Sequence, residues 1–260
     1  MKIITHPTIQ IIAHSIFLSH PEYRIPTDLD DLDAIPVFAA RGCYDSFLPN
    51  GRPTGKDTLK NVLTVGHGSV LEHSSISLFI EGISRGCSHE IVRHRHFSFS
   101  QRSTRYTSEE DAAIVLEPYY AEIYERAIVK NSFMSNMEKD LLTEFLDSCS
   151  ASLLAYRNQV NELVKLNPNN LTGTPLRKWA RGKARQLLPH ALETRMTVTG
   201  NLRCWRDFIA LRAQPDAEEE IRQLAVMVYD ELKDVAPIAF SDFLDLRPTY
   251  NSISPTMRKV

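Results

Sequence analysis

Between residues 93 and 106 the chain reads Arg93-His94-Arg95-His96-Phe97-Ser98-Phe99-Ser100-Gln101-Arg102-Ser103-Thr104-Arg105-Tyr106, which holds four arginines, two histidines and three serines. Arginine keeps its charge at any working pH and presents a planar fork of donors suited to phosphate oxygens. A fold that gathers such a run must set anions among the charges. The segment therefore predicts a site for a ligand with several phosphates, or for several phosphorylated ligands. Two other readings compete. A basic run is ordinarily a solvated face, but here aromatics and serines alternate with the charges, and the run lies mid-chain between apolar elements. Phe97, Phe99 and Tyr106 could stack bases as in a nucleic-acid patch. The formal net charge of −2 opposes that, because nucleic-acid binders usually carry a broad basic footprint.

With 260 residues the chain suffices for one large domain or two small ones. Its hydrophobic share of 43% and charged share of 24% are ordinary for a globular protein. No run approaches the roughly 18 apolar residues that cross a membrane. His14 and Ser15 interrupt the apolar stretch 9–18, and no signal-peptide layout is present. The expectation is a cytoplasmic protein with no membrane partner. Cys43, Cys87, Cys149 and Cys204 form no CxxC pair, which argues against a zinc knuckle or a disulfide framework and suggests buried thiols.

Residues 1–12 suggest a short hairpin or edge strand. Residues 19–36, with Pro21, Pro26 and Pro36, read as a loop that could hold a turn of helix, and a helix could begin at 37. The stretch 56–65 predicts a helix ended by Gly66. In 74–83, Ile76, Leu78 and Ile80 alternate with polar neighbours, as in a half-buried strand. Residues 84–93 then predict a helix that delivers the basic run, and 113–116 a second strand. Helical spacing marks 148–166. Thr174-Pro175 begins another helix, ended by Pro189, with Arg177, Arg181 and Arg185 on one face. Two more helices are predicted: 202–213, and one opened by Pro215 and Glu218-Glu219-Glu220 with Ile221, Leu224, Ala225, Val228 and Leu232 as its buried stripe. Residues 118–150 read as an outer helical elaboration. No Rossmann fingerprint occurs, since Gly66-His67-Gly68 lacks the third glycine, and no Walker loop occurs. Any phosphate must then be held by arginine side chains.

The spacing Arg93-His94-Arg95, seven residues, Ser103, then Arg105-Tyr106 resembles the signature of the flavin-dependent thymidylate synthases. His67-Gly68-Ser69-Val70-Leu71-Glu72-His73 is similar to the family's His-x-x-x-x-Glu-His segment. Ala184-Arg185-Gln186-Leu187-Leu188-Pro189 is similar to its Ala-Arg-x-x-Leu-Pro segment. Asn201-Leu202-Arg203 and Leu211-Arg212-Ala213 fit its last two ligand-binding elements. The order holds from about 37 to 245. The resemblance implies an α/β (α+β) fold: a single domain over 1–260, with a central, mostly antiparallel sheet flanked by long helices, no Rossmann unit, and a mobile tail from 248 to 260.

The same resemblance implies reductive methylation of dUMP to dTMP. The carbon donor would be 5,10-methylenetetrahydrofolate and the reductant NADPH, with FAD relaying hydride and one-carbon unit, in a homotetramer whose sites are shared between subunits. It implies FAD contacts at His67, Ser69, Arg93, His94, Arg95, Gln101, Asn201, Arg203 and Asp207. It implies dUMP contacts at Glu90, Arg93, Gln101, Arg102, Ser103, Thr104, Arg105, Arg185 and Arg212. Arg212 matches the arginine credited with favouring ionisation of the uracil at N3. Helical spacing sets Arg203 and Arg212 half a turn out of phase, so they are expected to face different partners. Ser100 stands where Asn is common in the family, and Arg102 where an apolar residue is common. His67, His73, His94 and His96 with Glu72 could be drawn as a metal site, but no H-E-x-x-H helix is present and arginines flank two of the histidines. No metal is expected.

Ser103 is the tempting nucleophile, yet serine needs a base within reach, and a hydrogen-bonding role in a ligand loop is preferred. Ser103→Ala is then expected to weaken dUMP binding. Loss of dTMP formation with normal dUMP and FAD affinities would instead make Ser103 a nucleophile.

Overall fold

The period-two pattern at 74–83 becomes strand β3 (Ser75–Ser84), whose Ile76, Leu78 and Ile80 are all but inaccessible to solvent. In the computed structural model, which describes residues 1–51, 53–130, 132–247 and 252–255, β3 lies inside a four-stranded sheet. The strand order is β2 (Thr8–His14), β3, β6 (Glu193–Asn201), β4 (Ser98–Gln101). Every neighbouring pair is antiparallel. Ser15 N–H donates to Ser75 O, Arg85 N–H to Leu192 O, Leu202 N–H to Ser74 O and Arg102 N–H to Arg195 O. Each bond joins the end of one strand to the start of its neighbour. The fold is thus α+β with an antiparallel sheet, as expected, although the sequence reading left β4 and β6 unassigned. Two smaller pairings exist: β1 (Ile3–Ile4) parallel to β5 (Ile114–Val115), and β7 (Phe243–Asp245) antiparallel to β8 (Ile253–Pro255). Within the tail expected to be mobile from 248, Ile253–Pro255 pair with β7, and Ile253 is fully buried. Residues 248–251 and 256–260 lie outside the described residues.

The chain gathers into two compact units. One comprises Met1–Thr8, Glu81–Glu90 and Ser100–Met196; the other comprises Ile9–Ile80, Ile91–Phe99 and Thr197–Val260. The first is built on α5 (Asn136–Leu166), a 31-residue helix. A reciprocal capping box starts it: Ser135 Oγ accepts from Glu138 N–H, and the Glu138 carboxylate accepts from Ser135 N–H. Helix α6 (Gly173–Ala184) packs along it, with Tyr156, Val160, Ala180 and Ala184 buried together. Helix α4 (Pro118–Tyr124) packs near its start, around Leu116, Ala121, Ile123 and Leu142. The helical elaboration expected at 118–150 is therefore α4 and the first half of α5.

The second unit holds α1 (Asp31–Cys43), α2 (Gly55–Val65), α7 (Leu202–Arg212) and α8 (Glu219–Val235). Helix α2 is capped by Thr54 and ends in left-handed Gly66, φ 75°. The stripe Ile221, Leu224, Ala225, Val228 and Leu232 on α8 is fully buried; each of its larger residues contributes about 1.5–3 kcal/mol by leaving water. Helix α1 contradicts the loop expected up to residue 36, because it runs through Pro36. Proline offers no N–H to the carbonyl four residues back, here Leu32. Ser74 Oγ takes that place, donating to Leu32 O at 2.8 Å in a buried position. Of the cysteines, Cys87 and Cys149 are buried, whereas Cys43 is exposed and Cys204 half-buried.

Asp33, fully buried on α1, accepts from the N–H groups of Ile238 and Ala239 at 2.8 and 3.0 Å. Burial pushes its carboxyl up from 3.8 to about 6, outweighing the two N–H donors; Asp30 adds to the rise. Between those values the folded state holds a proton that the unfolded state has lost. The contribution of Asp33 to stability is therefore largest near pH 4 and declines toward pH 6. We expect the stability advantage of wild type over Asp33→Ala to shrink by about 3 kcal/mol across that window, then level off. Denaturant unfolding at a series of pH values measures it, and an advantage that grows toward pH 6 would contradict the assignment.

Candidate functional site

The basic run leaves helix α3 (Arg85–Ile91) as a tight turn, and one aromatic residue seats it. Phe97 is buried, with its ring centroid 4.4 Å from that of Trp205 and 6.2 Å from that of Phe208. Gly200 makes room for it, since a Cβ there would come within 2.2 Å of the Phe97 ring. Trp205 is anchored in turn, donating from Nε1 to Ile76 O at 3.3 Å. The turn is thus held against β6 and α7 by an apolar wedge, and its charged residues face outward around it.

A cavity of about 1010 Å³ opens beside the wedge, lined by Glu72, Arg93, His94, Arg95, His96, Phe97, Asn201, Arg203, Cys204, Asp207, Leu211 and Arg212. Its size is at the upper end for small-molecule sites. Arg212 Nε donates to His94 Nε2 at 3.0 Å. His94 is thereby an acceptor at Nε2, a neutral ring with its proton on Nδ1. That ring stands edge-on to Phe208 at 5.1 Å. Arg203 Nη1 donates to Glu72 Oε1 at 2.5 Å, both side chains about half exposed. Asn201 caps α7, its Oδ1 accepting from Cys204 N–H at 2.9 Å. Burial pushes the Cys204 thiol up.

Arg93, His94, Arg95, Asn201, Arg203, Asp207 and Arg212, all singled out from the sequence, therefore line one cavity. Arg203 and Arg212 do not part company as their helical phase suggested. The side chains are long, and each is drawn to the cavity by its own acceptor, Glu72 or His94. His67 and Ser69 are exposed and do not line it; the His67 ring stacks on Tyr44 and bonds its hydroxyl at 3.1 Å. Glu72 was missed as a site residue, although it stands in a quoted motif. Among the described residues no group of three His, Cys, Asp or Glu side chains could hold a metal.

The remaining residues lie in the other unit. Gln101 Nε2 donates to Ser88 Oγ at 2.8 Å and Thr194 Oγ1 at 3.3 Å. Ser103 Oγ accepts from Arg105 N–H at 3.3 Å, which is a turn contact. Thr104 is buried, while Arg105 and Arg185 are exposed and Glu90 half-buried. The Arg105 side chain runs past Gly182 on α6. The Arg102 guanidinium is taken up by Glu109 and Glu193. Arg85 was not anticipated: burial holds its guanidinium below the usual range, and nearby Arg185 lowers it further while Glu109 opposes them. Its signal in sequence was slight, a lone arginine at a strand–helix junction.

Residues 26–238 match the family model described as thymidylate synthase complementing protein. A protein named flavin-dependent thymidylate synthase from Mycolicibacterium gilvum is 43% identical over 237 residues, covering 90% of this chain and 89% of that one. This chain belongs to the flavin-dependent thymidylate synthase family. A second relative of that name, from Mycobacterium leprae, is 43% identical over 245 residues, with the same 90% and 89% coverage. Among solved structures, a UMP/dUMP methylase from Streptomyces cacaoi bound with 5-Br dUMP superposes with a TM-score of 0.67 at 16% identity, over 93% of this chain and 97% of that one. At that identity the likeness is one of fold.

The wedge yields a test within this family fold. Gly200→Ala should cost about 1–3 kcal/mol by overpacking, because the Phe97 ring cannot retreat between Trp205 and Phe208. Hydrogen exchange should quicken at the amides of 93–97. A variant as stable and as protected as wild type would show that Phe97 does not depend on Gly200.

Proposed function

We propose that this protein makes dTMP from dUMP, with 5,10-methylenetetrahydrofolate as carbon donor, NADPH as reductant and FAD as cofactor. The observation that carries the reading is the cavity in which Arg93, His94, Arg95, Asn201, Arg203 and Arg212 converge from segments about a hundred residues apart. Four guanidiniums against the two carboxylates of Glu72 and Asp207 suit a dianionic or more highly charged ligand. Because Arg203 is neutralised by Glu72, Arg93 and Arg95 are the natural holders of a diphosphate, with Asn201 beside them. The volume suits a molecule as large as FAD. When bound there, FAD supplies the two-electron chemistry that links NADPH to the one-carbon unit. Asp207, a carboxylate, suits a sugar hydroxyl or an amide better than phosphate.

Arg105, Arg185 and the unanticipated Arg85 supply positive charge for the dUMP phosphate, with Ser103 and Thr104 in the same loop. Burial lowers the Arg85 guanidinium and nearby Arg185 adds to the lowering, and a phosphate beside the two cations relieves that cost. Arg212 cannot act as a base near neutrality. As a fixed cation oriented by His94, it lowers the pKa of a neighbouring uracil N3. The ionised ring is richer at C5, the atom that takes the new carbon. Assembly as a homotetramer with shared sites, and a cytoplasmic location, belong to the same proposal. Among the described residues no helix is long and apolar enough to cross a membrane.

Purified protein should form dTMP from dUMP, methylenetetrahydrofolate and NADPH, and only when FAD is present. Arg212→Met should lower the turnover roughly 100-fold, the usual effect of removing one electrostatic stabiliser. Product formed in the absence of FAD, or no product with FAD and all three substrates present, would contradict the reading.

A further inference from the structure

We infer that Arg102 is a positioning residue for the loop 103–107: it staples the ends of that loop to each other and to β6, and does not itself touch the nucleotide. The inference rests on the proposed reading of 103–105 as dUMP contacts. Nη1 of Arg102 donates to Glu193 Oε2, at the start of β6, at 3.0 Å. Nη2 donates to Ser108 O at 3.3 Å and lies 2.9 Å from Glu109 Oε2, off the hydrogen-bonding direction, so that contact is an ion pair. Its backbone N–H continues the sheet, donating to Arg195 O at 3.0 Å. One side chain thus joins the residue before the loop to the two residues after it.

Inside the staple, Thr107 Oγ1 donates to Ser103 O at 2.7 Å and also meets Glu109 Oε1 at 3.1 Å. The Arg102, Glu109 and Glu193 side chains are only 19%, 1% and 12% exposed, which leaves the guanidinium turned inward and little screened by water. The exposed end of the segment carries Arg105. A loop ordered before binding does not spend ligand affinity on ordering, and affinity falls by the fraction of time the loop is out of place. An apolar residue at 102 would keep the backbone bond to Arg195 and lose every side-chain bond to Glu193, Ser108 and Glu109.

The test is equilibrium dUMP binding by calorimetry, together with hydrogen exchange, on Arg102→Met, Arg102→Lys, Glu193→Gln and Thr107→Val. Glu193→Gln and Thr107→Val are near-isosteric and keep the data interpretable if Arg102→Met fails to fold. Expected are a dUMP dissociation constant raised about tenfold in Arg102→Met and about threefold or more in the other two, recovered in part by lysine. Amides of 103–107 should exchange faster in all three, and FAD affinity should stay at the wild-type value. Weaker binding in Arg102→Met alone would mean that the guanidinium meets the nucleotide directly, and would overturn the inference. So would wild-type exchange at 103–107 in Glu193→Gln and Thr107→Val. If wild type binds no dUMP, the functional reading fails, and the exchange data still judge the staple.

Discussion

Like charges repel, and this fold must hold Arg93, Arg95, Arg203 and Arg212 around one cavity. Two such groups 4 Å apart oppose each other by about 4 kcal/mol at a partly buried site. Three arrangements offset this. Glu72 neutralises Arg203. His94 accepts from Arg212 as a neutral ring, so it orients a cation without adding a charge. The third is apolar: Phe97, set between Trp205 and Phe208 over Gly200, fastens the turn that bears Arg93 and Arg95. Local electrostatics alone would let that turn open, and the buried wedge keeps it in place.

The scaffold behind the cavity relies on buried polar groups that find partners. Ser74 fills the carbonyl that Pro36 leaves open, and Asp33 collects two N–H groups beyond the end of α8. Arg206, almost fully buried on α7, grips both oxygens of Asp242 at 2.7 and 2.8 Å and covers the Phe243 ring. Such bonds are directional. They fix how α1, α7 and α8 meet in a way that apolar contact does not, and the cavity inherits their rigidity.

What could be read from the chain was what local chemistry decides. Gly66 ended α2, the α8 stripe was fully buried, and the alternation in 74–83 gave β3, because each signal lies within a few residues. Strand β6 alternates too, with Thr194, Met196 and Val198 inward, but the polar Thr194 and the half-buried Thr197 and Thr199 blurred its apolar face. Helix α1 was hidden by Pro36, whose lost bond is made good by a residue 38 positions away in the chain. The cavity residues were recognisable by motif, since seven of them meet. Their partners were not. Glu72 for Arg203, and Glu109 and Glu193 for Arg102, are 131, 7 and 91 residues distant, and spacing alone ranks none of them above other carboxylates.

Asn201 carries two duties at once. Its Oδ1 is spent on the Cys204 N–H that starts α7, so the end of the amide left for the cavity is the NH₂ group. At this position the cavity is offered a donor. The NH₂ group favours a ligand atom with a lone pair there. An aspartate here would start the helix equally well and yet reverse that polarity, setting a third carboxylate beside Glu72 and Asp207 where the ligand needs a donor. The identity of one cap thus decides both where a helix begins and the hydrogen-bonding sense of the surface it leaves behind.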